Sequence, residues 1–166
     1  MGARAQALAD EFDGVVADLA KTIEDWPEDK WGAICGPEGW TVAATAQHVA
    51  GQFYAIEYDY LKAGAELRPW PDYDWDYVNR KNDARAAANT DASKADVLAL
   101  LRADAAKMSS FVRGLSDEQL DFRAPLPLAN GAEVTTQQLI EGGVLIDHVR
   151  THLKSIRDSG GVGAGT

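Results

Sequence analysis

The chain is short of several residue types whose presence would open common functional readings. It has one cysteine, Cys35, in 166 residues. That excludes an internal disulfide framework and any cysteine-rich zinc site. Basic side chains are scarce: 16 Lys and Arg stand against 26 Asp and Glu, for a formal charge of −10. Such a chain repels phosphate backbones and anionic lipid, so neither nucleic acid nor a membrane surface is an expected partner. No apolar run approaches the roughly 20 residues that a membrane helix needs. The N-terminal segment MGARAQALADEF carries no apolar h-region, and a cytoplasmic protein is expected. Histidine is rare too, with three residues in all.

What remains is ordinary globular material with strong helical periodicity. The length suits one domain. Residues 3–25 place Ala5, Leu8, Phe12, Val15, Val16, Leu19 and Ile23 on one stripe, ended by Trp26-Pro27. Thr41 is a good N-cap for a second helix, read as continuous to about Ala63, with Trp40 stapled onto its first turn. The proline- and aromatic-rich segment RPWPDYDWDY (68–77) reads as a lid-like loop that runs into a third helix at Trp75–Asn89. Ser93, with Asp96 three residues on, starts the next helix. Pro125, Pro127 and Asn130-Gly131 mark turns and a small hairpin. Thr135-Thr136-Gln137-Gln138 is a capping box that opens a last helix to about Arg157. The expected architecture is an all-α four-helix bundle over residues 1–158 with a hairpin insertion before the last helix. The glycine-rich stretch 159–166 is expected to be a flexible tail.

The three histidines carry the most information. His148 and His152 lie four apart on the last helix, so they project from one face, one turn apart. His48 lies on the second helix in phase with Ala44, Gln52, Ala55 and Asp59. One imidazole from one helix and a pair from another give three neutral ligands, and three protein ligands on zinc leave a position open. The plain alternative is a set of hydrogen-bonded core histidines. The residues between the pair, Val149-Arg150-Thr151, lack the glutamate of a zinc-protease HExxH motif. By helical phase alone Asp59 and Glu141 are candidate carboxylates near the site, but each lies two or three turns from its histidine, and a polar contact at the bundle's end is the preferred reading of both. Gln52, one turn from His48, is a candidate for orienting a ligand or substrate.

The order and spacing of several segments resemble the DinB-like (DinB/YfiT-like) superfamily of metalloenzymes. These are Gly39-Trp40-Thr41 entering helix two, then His48, Asn82 with the DARAAANTDASKADVLALLRA that follows, Gly114-Leu115-Ser116-Asp117-Glu118-Gln119-Leu120, and the His148–His152 pair. The likeness covers about residues 3–158. It implies an up-down-down-up bundle, a divalent metal (zinc or nickel) on His48, His148 and His152, and Asn82 in the substrate pocket. Some relatives, similar to mycothiol-dependent maleylpyruvate isomerase, use a low-molecular-weight thiol, which makes such a thiol a candidate cofactor.

A cation held by three neutral imidazoles keeps its full charge and can activate water or a thiol. The expected function is therefore metal-dependent chemistry on a small molecule, by thiol-dependent transfer or isomerisation or by hydrolysis. The alternative is a bundle that binds metal or a partner without catalysis. Trp70, Tyr73, Trp75, Tyr77, Tyr54, Tyr58 and Tyr60 either wall a pocket or cap the core or a dimer interface. A homodimer is the default expectation for assembly.

Overall fold

The structure is a computed structural model that describes residues 2–51 and 55–160. Helix α1, Ala3–Asp25, buries Ala5, Leu8, Ala9, Phe12, Val15, Leu19 and Ile23, the stripe expected from the 3.6-residue period. It stops at Trp26, which the following proline holds in an extended conformation. A single 3₁₀ turn, Glu28–Lys30, leads to two short antiparallel strands, β1 (Ile34–Cys35) and β2 (Trp40–Thr41). The turn between them needs Gly36 and Gly39, both at positive φ.

Thr41 then caps α2, Val42–Ala50, its side-chain oxygen accepting from the Ala44 N–H at 3.0 Å. The continuous helix expected to Ala63 is instead broken. Gly51 leaves helical geometry (φ −92, ψ 42), Ala55 is extended, and a separate α3 spans Ile56–Ala65. The Arg85 guanidinium occupies the break, donating to the Gly51 carbonyl at 3.2 Å and to Gln47 Oε1 at 3.3 Å. This places a cation on the carbonyl-rich end of α2. A Cβ on residue 51 would lie 1.8 Å from Arg85 Nη2, so glycine makes the close approach possible.

The expected lid segment is tied down. Trp70 is buried and donates to the Ala124 carbonyl at 2.9 Å, while Tyr73 donates to Asp59 at 2.9 Å. Asp74 caps α4, Trp75–Ala88. Ser93 caps α5, Lys94–Arg113. A short helix that the sequence reading did not foresee, α6 (Asp117–Asp121), opens with a complete Ser116–Gln119 capping box. The expected hairpin is present as β3 (Arg123–Leu126) and β4 (Ala132–Thr135), turning through Asn130 and Gly131 at positive φ.

The Thr135–Gln138 capping box starts α7, Thr136–Glu141, but this helix also breaks. Gly142 turns the chain out of the helix, and α8 restarts at Ile146–Ser159. The fold is thus mostly helical with two small sheets. Helix α1 packs on α5 and α8, and α2 packs on α5, α8 and α4. Their buried faces share one apolar core that includes Phe12, Leu19, Leu101, Met108, Ile146 and Ile156. Among the described residues no helix is long and apolar enough to cross a membrane. The expected tail lies outside the described residues from 161 onward.

Candidate metal centre

The cap at Thr41 fixes where α2 begins and so which face His48 presents. Thr41 also donates its hydroxyl to the Thr90 carbonyl at 2.9 Å, locking the entry to the helix against the end of α4. His48 is 3% exposed in a helix built mostly of alanine and valine. From α8, His148 and His152 project inward one turn apart, and His152 is also buried. The three rings converge: centroids are 5.0 Å apart for His48–His148, 4.9 Å for His48–His152 and 4.8 Å for His148–His152. One nitrogen from each ring lies within 4.8 Å of the other two. Trp40, just before the α2 cap, packs back on α2 at His48 and covers this cluster. Its ring meets His48 edge-on at 5.1 Å and stacks on His152 at 6.2 Å, while its indole N–H donates to Asp83 at 3.1 Å.

Each ring keeps one nitrogen buried and without a partner: Nδ1 of His48, Nε2 of His148 and Nδ1 of His152. Core histidines are normally hydrogen-bonded, and three unpartnered nitrogens in one cluster have a large desolvation cost. The cluster therefore does not fit the plain core reading, and it fits a bound cation. His148 shows how its ring is oriented. It hydrogen-bonds the Gly143 backbone, and with Nε2 unpartnered that bond runs through Nδ1. This is the usual arrangement in which a ligating imidazole gives its second N–H to an acceptor. The acceptor exists because the helix is broken at Gly142. The electrostatics agree on neutral rings. Burial first, then repulsion from His148, His152 and Arg85, pushes His48 down to about 2. Burial takes His148 to about 4 against the Gly143 bond, and burial with repulsion from His148 takes His152 to about 4.

The cluster forms one wall of a cavity of about 500 Å³. Ile56, Val78, Leu128 and Val144 supply apolar surface, and Glu38, Asn79, Asn82 and Asp83 supply polar groups. Asn82 lines the same cavity as the three histidines. Gln52 and Tyr54 lie outside the described residues. Asp59 and Glu141 make polar contacts rather than reach the histidines: Asp59 is exposed and bound by Tyr73, and Glu141 is exposed and bound by Gln137. The buried carboxylate of the cavity is Glu57, on α3, with Oε1 3.5 Å from His148 Nε2. Burial raises its pKa, opposed by a backbone hydrogen bond and by Arg85. Of the aromatics, Tyr60 and Trp75 line the cavity, Trp75 held at the rim by its bond to the Leu128 carbonyl at 3.1 Å. The buried Tyr60 hydroxyl has no partner, and burial pushes its pKa up to about 12, so it stays a donor.

The model of the DinB superfamily matches residues 11–156 of this chain. The chain belongs to the DinB superfamily. Solved structures agree on the fold. An uncharacterized protein from Clostridium difficile 630 superposes with a TM-score of 0.69 at 12% identity, over 95% of this chain and 96% of that one. A Streptococcus pneumoniae protein gives 0.67 at 14% identity, over 95% and 91%. A mycothiol-dependent maleylpyruvate isomerase gives 0.68 at 15% identity, over 94% of this chain but 63% of the isomerase. Comparison with curated proteins returns no match. Within this DinB-superfamily fold, the histidines of α2 and α8, the carboxylate of α3 and the rim residues of α4 meet in one cavity.

Proposed function

We propose that this DinB-superfamily chain binds a divalent cation, zinc or nickel, on His48, His148 and His152 and acts on a small molecule in the adjoining cavity. The observation that carries the reading is the set of three neutral imidazoles, two buried and one nearly so, that each keep a nitrogen without a partner and together bring one nitrogen apiece within 4.8 Å of the others. A cation held there supplies Lewis acidity toward a substrate oxygen or a thiol sulfur. The chain's own residues do the rest. Gly143 fixes the His148 tautomer, and Trp40 shields the rings from water. The Tyr60 hydroxyl donates to an oxygen of the bound molecule, and the Asn82 amide lies at the rim to orient it. A volume near 500 Å³ suits a small-molecule ligand. The reaction is read as thiol-dependent transfer or isomerisation, or hydrolysis. Its thiol is a low-molecular-weight one, on the strength of the fold shared with the mycothiol-dependent enzyme.

The up-down-down-up order of the main helices belongs to the same reading, supported by the mutual packing of α1, α2, α5 and α8. Nucleic acid is not a partner in it, given the charge of −10 and the acidic groups at the cavity. A second reading, a cation with a purely structural role, is favoured by the nearness of Glu57 to His148. The test is elemental analysis of untagged protein, followed by a screen of thiols with electrophiles and of hydrolysable esters and amides. About one equivalent of metal, lost in His148→Ala, together with a metal-dependent turnover supports the proposal. Less than about 0.2 equivalents, unchanged by added zinc or nickel, overturns it. Bound metal whose removal unfolds the chain, with a silent screen, supports the structural reading.

A further inference from the structure

The cavity wall is sorted by charge. On α4, Trp75, Val78, Asn79, Asn82 and Asp83 fall at the i, i+3, i+4, i+7 and i+8 positions of one helix face, and all five line the cavity. The basic residues of the same helix lie off that face. Arg80 and Lys81 are exposed, with Lys81 over the Tyr77 ring at 5.6 Å, and Arg85 is bonded to Gly51 and Gln47. Among the described residues no lysine or arginine lines the cavity from any element. Its carboxyl groups are Glu38, Glu57 and Asp83. Glu57 is buried beside His148, whereas Glu38 and Asp83 are exposed and stand at the mouth. Trp40 sets the spacing: its ring lies against His48 and its indole N–H reaches Asp83, so that carboxylate is one indole's breadth from the histidines. Neither mouth carboxylate has a salt bridge among the described residues. The buried end has two polar groups that await a ligand, Nδ1 of His48 and the hydroxyl of Tyr60, both in side chains lining the cavity and both without a partner.

We infer that the cavity selects a small bipolar molecule, with a metal-binding donor atom at its buried end and a cationic group, an ammonium in the simplest case, at its mouth. This rests on the proposed metal at His48, His148 and His152, which makes the buried end positive while Glu38 and Asp83 make the mouth negative. An anionic group at the mouth meets two like charges and no side-chain cation, and such unpaired contacts set specificity by rejection. Trp75, 57% exposed and fixed by its bond to the Leu128 carbonyl, offers a cation the face of an indole at the same place. A carboxylate about 6 Å from the far end of a ligand, in water-like surroundings, changes the ratio of cationic to anionic affinity by about tenfold, because the ligand's charge swings by two.

The experiment titrates three short thiols, cysteamine (cationic), mercaptoethanol (neutral) and mercaptopropionate (anionic), into Co²⁺-loaded, untagged full-length protein, read by the cobalt–thiolate absorption. The ionic strength is about 10 mM, where screening is slight. Wild type is compared with the double variant Glu38→Gln, Asp83→Asn, whose amide at 83 still accepts from Trp40. A second double variant, Asp18→Asn, Glu133→Gln, removes the same charge at exposed positions outside the cavity. Differences intrinsic to the thiols cancel when affinity ratios are compared between proteins. The inference expects the cysteamine-to-mercaptopropionate ratio to fall about tenfold or more in the cavity variant and to stay within about twofold in the surface variant. A cavity variant within about twofold of wild type, or a surface variant that falls as far, overturns the charge selection and leaves the metal site standing. Co²⁺ uptake with no thiolate band from any of the three does the same. A wild type that binds no Co²⁺, Zn²⁺ or Ni²⁺ overturns both. Circular dichroism verifies folding. If the cavity variant does not fold, wild type decides the point: the ratio must shrink as salt rises to about 0.5 M, and an unchanged ratio rejects the inference.

Discussion

Metal-free protein should lose stability steeply as the pH falls from 8 to 5, and the loss should come from the histidine cluster. His148 and His152 sit at about 4 in the fold against an ordinary value of 6.5, and His48 lies lower, at about 2. Below 6.5 the unfolded chain takes up protons that the folded chain refuses. Stability therefore falls with pH from that point, until the folded rings protonate at about 4 and below. At pH 5 each ring contributes about 2 kcal/mol to the loss, or about 6 kcal/mol for the three, an order-of-magnitude figure comparable with a whole domain's stability. Glu57 works in the opposite sense. Its raised pKa means the fold holds a proton that the unfolded chain gives up, so its contribution recovers as the pH falls. The assay is urea denaturation of EDTA-treated protein at pH 8, 6.5 and 5, comparing wild type with His152→Gln. The variant should lose about 2 kcal/mol less than wild type over that span. Parallel losses in the two proteins would refute neutral, desolvated rings in the fold.

Three further outcomes are expected. Zinc at about one hundred times its dissociation constant should add about 2.7 kcal/mol and raise the melting temperature by roughly 5–10 °C; EDTA should reverse the shift, and His148→Ala should abolish it in differential scanning fluorimetry. Tyr60→Phe removes a buried hydroxyl that has no partner, so urea denaturation should show stability unchanged or raised by up to about 1 kcal/mol. A loss above about 1.5 kcal/mol would mean the hydroxyl had been bonded. Gly142→Ala places a Cβ 2.9 Å from the Gln138 carbonyl oxygen, a backbone atom that cannot step aside. It should cost about 1–3 kcal/mol by chemical denaturation. By shifting the Gly143 acceptor it should also weaken metal binding measured by calorimetry.

Signals that act within one turn of chain are plain in the sequence. The bounds of α1, the caps at Thr41 and Ser93, the Thr135–Gln138 box and the Asn130-Gly131 turn stand where residue chemistry puts them. They do so because each depends on a hydrogen bond or steric limit between near neighbours. The helical spacing of His148 and His152 and the phase of His48 belong to this class, since each ring is set by one uninterrupted helix. Trp40 does pack on α2, at His48, but its stack on His152 and its bond to Asp83 join it to remote parts of the chain, and nothing local announces them. Trp70 in the supposed lid is held by the Ala124 carbonyl, 54 residues away, and nothing local announces that bond.

Glu57 shows what helical phase cannot reach and why that matters to the site. On an unbroken helix Asp59 falls about 20° from His48, and Glu57 falls about 180° away, at about 100° per residue. On an unbroken helix, then, Glu57 would point away from His48. The break at Gly51, held open by Arg85, resets that phase, and Glu57 arrives at the cavity while Asp59 turns out to meet Tyr73. The last helix repeats the lesson. Glu141 is in phase with His148 only if the helix continues through Gly142, and the break there sends Glu141 to the surface. The same break frees the Gly143 backbone for His148. Long regular helices carry the imidazoles, but each is matched to its buried partner by an interruption with glycine in it. A site assembled this way is sensitive to substitutions at Gly51 and Gly142, residues that line no ligand position themselves.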